Sequence, residues 1–135
     1  MSRWWKSWRR GATTELDPAR VDLIVVASSF DDAEACSAAL SKAMNWTADQ
    51  PVVLRHHLRI PLAHVDAVQI IAAQDGYHTG SLDDCDPANL SLQRVQVLDA
   101  LHCSQERSRM AGLAQRHDGD ALGWEALQPA PASHG

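Results

Sequence analysis

The sequence predicts a layered domain in which strands and helices alternate, rather than a helical bundle. Residues 52–60, VVLRHHLRI, alternate apolar and polar side chains with the period of a strand. Residues 62–75 and about 105–117 repeat apolar side chains with the period of a helix. The two kinds of segment follow one another along the chain, and that alternation favours sheet-plus-helix layers. With 135 residues the chain is long enough for one domain and too short for two ordinary ones.

Residues 1–20 read as a basic, Trp-rich head and linker, disordered by composition; GATTELDPAR at 11–20 is small and polar and contains Pro18. VDLIVVASS at 21–29 is a continuous apolar run rich in β-branched residues, the pattern of a buried strand. Ser28 or Ser29 offers an N-cap for a helix over about 31–45, with Cys36, Ala39, Leu40, Ala43 and Met44 on one face. In the strand at 52–60, Val52, Leu54, His56, Leu58 and Ile60 share one face, and Val53, Arg55, His57 and Arg59 the other. Pro61 opens a helix over 62–75 with Val65, Val68, Ile71 and Ala72 on its stripe, and Gly76 is its stop.

Residues 78–91, HTGSLDDCDPANLS, have the composition of a loop. LQRVQVLDA at 92–100 reads as a strand, and Ser104 as the cap of a helix over 105–117 whose stripe is Met110, Leu113 and Ala114. Asp118-Gly119 ends that helix, with Gly119 supplying a left-handed turn. DALGWEAL at 120–127 is the last strand, with Leu122, Trp124 and Ala126 pointing one way. Residues 21–127 thus form a single domain, and QPAPASHG at 128–135 a disordered tail. Two layouts fit this order. One is a small parallel α/β sheet. The other is an α+β sandwich built on a split βαβ unit, in which a short strand at GYHTG (76–80) gives βαββαβ from residue 52 onward.

Composition narrows the function. The net charge is −5, and Arg3, Lys6, Arg9 and Arg10 put +4 on the first ten residues, which leaves −9 on residues 11–135. An acidic body does not suit a general nucleic-acid binder, and DNA is not an expected partner. No apolar run of about 20 residues is available to span a membrane. Cys36, Cys85 and Cys103 are odd in number and widely spaced, as expected of reduced thiols in the cytosol. The opening MSRWWKSWRRGATTE lacks the apolar stretch of a secretory signal.

The chemistry-bearing residues form no familiar constellation. His56 and His57 face opposite ways on a strand, so they do not share one metal ion easily, and no HExxH or CxxC occurs. His56, on the apolar face, is expected as a hydrogen-bonded core residue. Cys36 reads as core. Cys103 follows His102, but a thiol enzyme needs a base brought across the fold. No metal, cofactor or catalytic residue is assigned. Arg55, His57 and Arg59 would form a basic stripe about 14 Å long if no helix covers their face, suited to an acidic partner segment or to RNA phosphate. Trp124 beside Gly123 would cap an aromatic-poor core, or serve as a partner contact. In the head RWWKSWRR, Arg3, Trp4, Trp5, Trp8 and Arg10 have the composition of an interfacial anchor, for reversible contact with anionic membrane or for docking on a partner.

From RHHL to GWE, roughly residues 52–127, the chain resembles the family of regulator of ribonuclease activity B. HHL (56–58) ends an early strand, an Ala-rich helix ends in DGY (75–77), a later helix ends in GLAQRHDG (112–119), and a strand with GWE (123–125) follows. Ala121 and Leu122 stand where that family shows Tyr and Asp. The resemblance implies the second layout: a ferredoxin-like split βαβ sandwich, an antiparallel sheet with helices on one face, preceded by an extra strand and helix. It also implies a non-enzymatic, cytoplasmic, protein-binding regulator that inhibits an endoribonuclease of the ribonuclease E type. The alternative expectation is a peripheral membrane adaptor tethered by the Trp/Arg-rich N-terminus.

Overall fold

The structure, a computed structural model, describes residues 15–131. Arg3, Trp4, Trp5, Trp8 and Arg10 lie outside the described residues. The elements run β1 (Leu23–Ser29), α1 (Cys36–Ser41), β2 (Pro51–Ile60), a 3-10 turn at Leu62–His64 leading into α2 (Val65–Gln74), β3 (His78–Asp83), β4 (Ala88–Val97), α3 (Ala100–Arg116) and β5 (Asp120–Pro129). The strands form one five-stranded sheet in the order β1-β5-β2-β4-β3. Every neighbouring pair is antiparallel, so the fold is α+β and the parallel alternative is excluded.

β2 occupies the centre, and its period-two pattern explains why. Val52, Leu54, Leu58 and Ile60 are fully buried beneath the helices, each contributing roughly 1.5–3 kcal/mol of apolar burial. All three helices cover this one face. Towards β3 the core joins Leu58 and Ile60 to Val65 and Val68 of α2 and Met110 and Leu113 of α3. Towards β1 it joins Leu54 to Cys36 and Leu40 of α1, Cys103 of α3, and Trp124 and Ala126 of β5.

Several boundaries differ from expectation. The apolar run at 21–29 is an edge strand, paired only with β5, and Val25 is half-exposed on it. The helix expected over 31–45 has six residues. Ser29 Oγ and the Asp31 carboxylate bond nearby backbone N–H groups at Asp31 and Ala33, holding residues 30–35 in turns. Met44, placed on the core stripe, is 91% exposed. The expected loop at 78–91 is mostly a hairpin: β3 and the start of β4 occupy it. Helix α3 starts earlier than Ser104, because Asp99 caps it by accepting from the His102 N–H at 2.8 Å.

Gly76 adopts φ +83° and ends α2 as expected. At the end of α3 the left-handed residue is Asp118, with φ 60°. Gly119 is needed for space instead, since a Cβ there would strike the Arg59 carbonyl and the Ile60 side chain. The tail begins later than residue 128. Gln128 is buried in β5, and its amide accepts from the Thr47 N–H and donates to the Thr47 carbonyl, both at 2.9 Å.

Candidate binding face

The alternation of β2 sends Val53, Arg55, His57 and Arg59 to the face opposite the helices, and no helix lies on that face among the described residues. The strand register places Gln93 and Glu125 beside Arg55, and Ser91 and Gly123 beside His57. The stripe is therefore not uniformly basic. Arg55 Nε donates to Gln93 Oε1 at 3.1 Å. His57 Nε2 meets the Glu125 carboxylate at 2.6 Å. Both partners are half-buried, and an imidazole–carboxylate pair there fixes the ring's orientation. Arg59, at the end of the strand, is exposed.

Phe30 completes this face. It is the first residue after β1, and its ring fills the space over Gly123 that a side chain would occupy. It packs on the His57 ring with centroids 5.5 Å apart, yet it is 56% exposed. In β5 the pairing with β2 slips between Gly123 and Ala121, leaving Leu122 as the extra residue of a bulge. Leu122 thereby escapes the strict alternation that would put it beside Trp124. It lines a groove of about 400 Å³ with Phe30, His57, Ser81, Asp83 and Ser91.

Behind the sheet a polar cluster ties β2 to α3. The Tyr77 hydroxyl donates to Glu106 Oε1 at 2.7 Å, and His56 Nε2 lies 3.4 Å from the same hydroxyl. Arg94 reaches Glu106 at 3.3 Å and stacks over the Tyr77 ring, 4.6 Å from its centroid. Arg109 adds a contact to Glu106 at 3.2 Å. Burial pushes His56 down to about 3; Arg94 and His57 act in the same direction, and Glu106 opposes them. His56 is thus neutral, the hydrogen-bonded core residue its position implied. Burial alone would raise the Glu106 carboxyl, but the Tyr77 hydrogen bond and the charges of Arg94 and Arg109 hold it below its ordinary value. The Tyr77 hydroxyl is pushed up, by burial first and then by its bond to Glu106.

Cys103 and Cys85 are both held towards the thiol form in this setting. Burial, then the neighbouring Cys36 thiol, pushes the Cys103 thiol well up. Exposed Cys85 is also raised, because its S–H donates to Asp83 Oδ1 at 3.1 Å. Among the described residues no group of three or more His, Cys, Asp or Glu is placed to hold a metal ion. None of the described helices is long and apolar enough to cross a membrane.

Of the residues singled out from the sequence, Arg55, His57 and Arg59 come together on the helix-free face. Trp124 does not join them: it is 0% exposed on the opposite face, among Leu54, Cys103 and Ala126, so it presents no surface to a partner there. Sequence reasoning missed Phe30, Leu122, Gln93 and Glu125. The chain's one Phe directly after a strand, and the glycine before Trp124, were the available signals. No protein-family model matches the chain, and neither does any curated protein or solved structure.

Proposed function

We propose that this chain is a non-enzymatic regulatory domain that binds another protein through its helix-free sheet face. The observation that carries this reading is the exposed Phe30 ring, held over Gly123 and against His57 beside a groove with Leu122. An aromatic ring locked by packing yet open to solvent makes a low-entropy anchor, since little conformational freedom remains to be lost on binding. Arg59 at the end of the stripe adds a positive rim suited to an acidic partner segment.

The strand order β5-β2-β4-β3, with α2 and α3 as the two connections on one face, supports reading residues 51–129 as a ferredoxin-like split βαβ unit. β1 and α1 are then an addition at the β5 edge. That reading agrees with the resemblance to regulators of ribonuclease activity, and it makes an RNA-degrading endoribonuclease the partner class to test first. The test is the rate at which a purified endoribonuclease of the ribonuclease E type cleaves a short single-stranded RNA. Added chain should slow cleavage in a dose-dependent way, and cleavage that stays unchanged at saturating chain rejects this partner class.

A further inference from the structure

The helix-free face has a second, apolar half. Strand register aligns Val25 of β1, Leu127 of β5, Val53 of β2 and Val95 of β4 in one row across the sheet. The next row outward joins Leu23 and Pro129 to Pro51 and Val97. Every side chain in the two rows is apolar. The polar row of Arg55, Glu125 and Gln93 separates them from the groove beside Phe30 and His57. This surface is therefore distinct from the one assigned a partner above.

Contiguous apolar surface of this kind is unfavourable in water and marks a place where something packs. The margins of the patch are open: Val25 is 45% exposed and Val97 38%. Its middle is not. Val53 is 0% exposed and Leu127 6%, as low as the core beneath the helices, although neither belongs to that core. No described helix lies on their side of the sheet.

The chain's own start is the segment placed to cover this patch. Residues 1–14 lie outside the described ones, and the chain enters the described structure at this end of the sheet, where Glu15 and Leu16 line one hollow with Pro51 and Pro129. Trp8 stands seven residues before Glu15, a reach of up to about 23 Å. The three strand spacings across the patch span only about 14 Å.

The composition of that segment matches the surface. Trp4, Trp5 and Trp8 bring three indoles, each able to bury about 150–250 Å². Arg3, Lys6, Arg9 and Arg10 give it a charge of +4, opposite in sign to the −9 of residues 11–135. Tethering favours it over any separate occupant, because a short linker holds it at an effective concentration in the millimolar range. We propose that residues 3–10 fold back on the helix-free face of the same chain, with the Trp4, Trp5 and Trp8 indoles over the rows of Val53 and Pro51.

The test is methyl NMR of the full chain with ¹³C-labelled Val, compared with a Trp4→Ser, Trp5→Ser, Trp8→Ser variant. Indole rings shift the signals of methyl groups beneath them. The Val25, Val53 and Val95 signals should therefore move in the variant, while those of Val65 and Val68, under the helices, stay. Val25→Glu, an exposed change at the margin, should release the indoles and move Val53 and Val95 the same way. Both effects should survive dilution. Unmoved Val53 and Val95 signals in the Trp variant overturn the proposal; pelleting of the full chain with phosphatidylserine vesicles, lost in that variant, would then place the segment on a membrane. An effect that disappears on dilution also overturns it, and makes a second copy the occupant.

Discussion

Trp124 stands directly across from His56 where β5 pairs with β2, and both side chains are buried on the helix-covered side of the sheet. The indole is the largest fully buried side chain among the described residues, in a core built mostly from Ala, Val, Leu and Ile. Trp124→Ala should therefore lower unfolding free energy by about 3–5 kcal/mol. Trp124→Phe should cost less, because the ring still fills much of the space and the indole N–H it removes has no partner among the described residues. Urea denaturation measures both. A Trp124→Ala loss below about 1 kcal/mol would mean the closing strand does not depend on this packing.

Acid stability should depend on His56. Its folded-state value, about 3, lies below the 6.5 of an unfolded histidine, so between those limits the unfolded chain binds a proton that the folded one does not. The neutral-ring contribution is complete above about pH 6.5. It falls as the pH drops, by up to ~1.4 kcal/mol per unit. Glu106, held low in the fold, acts with the same sign at more acid pH. In a folded His56→Gln variant, the loss of stability between pH 7 and pH 5 should be clearly shallower. Parallel curves for the two proteins would contradict the burial of a neutral imidazole.

Tyr77→Phe removes the 2.7 Å hydrogen bond to Glu106 and leaves that buried carboxylate on Arg94 and Arg109 alone. The expected cost is about 1–3 kcal/mol. Paired with Glu106→Gln in a double-mutant cycle, the two losses should be less than additive, because the residues share one bond. Strict additivity would show that they do not communicate.

Gly123→Ala places a methyl group into the Phe30 ring and the Ser29 carbonyl. Overpacking of this kind costs about 1–3 kcal/mol. Much of that loss should disappear in a Phe30→Ala background, where the ring is gone and only the carbonyl contact remains. Equal losses in both backgrounds, read from thermal melts, would mean that Phe30 does not lie over this glycine.

The parts of the fold legible in the sequence are those where one face is buried and the other solvated. β2 is the clearest case: the alternation of Val52 to Ile60 fixed which side of the sheet each residue takes. The stripe of α2 and its Gly76 stop were readable for a similar reason. β3 followed only from the split βαβ layout, which puts a short strand at 76–80; its own residues, HTGSLD, are exposed along their whole length and carry no apolar period. The run at 21–29 misled in the opposite sense. Apolar residues there cover α1 and the first turn of α3, but β5 rather than β1 takes the inner place in the sheet. The short α1 was hidden because Asp31 and Ser29 divert the backbone into turns. On the helix-free face the Arg55-His57-Arg59 stripe was readable from periodicity alone. Its pairing, Arg55 with the Gln93 amide and His57 with the Glu125 carboxylate, depends on register between distant strands, which no local pattern reveals.

The helix-free face should be the one that binds a partner. Affinity for the endoribonuclease, measured by calorimetry, compares Phe30→Ser with Arg59→Glu against Ile70→Ser, an exposed change on the helix side. Affinity should fall about 30-fold or more for the first pair, the usual effect of removing an aromatic anchor. Ile70→Ser should bind as the unaltered chain does, and all the proteins should melt within a few degrees of one another. Full affinity in the Phe30/Arg59 variant, or a comparable loss from Ile70→Ser, would place the binding surface elsewhere.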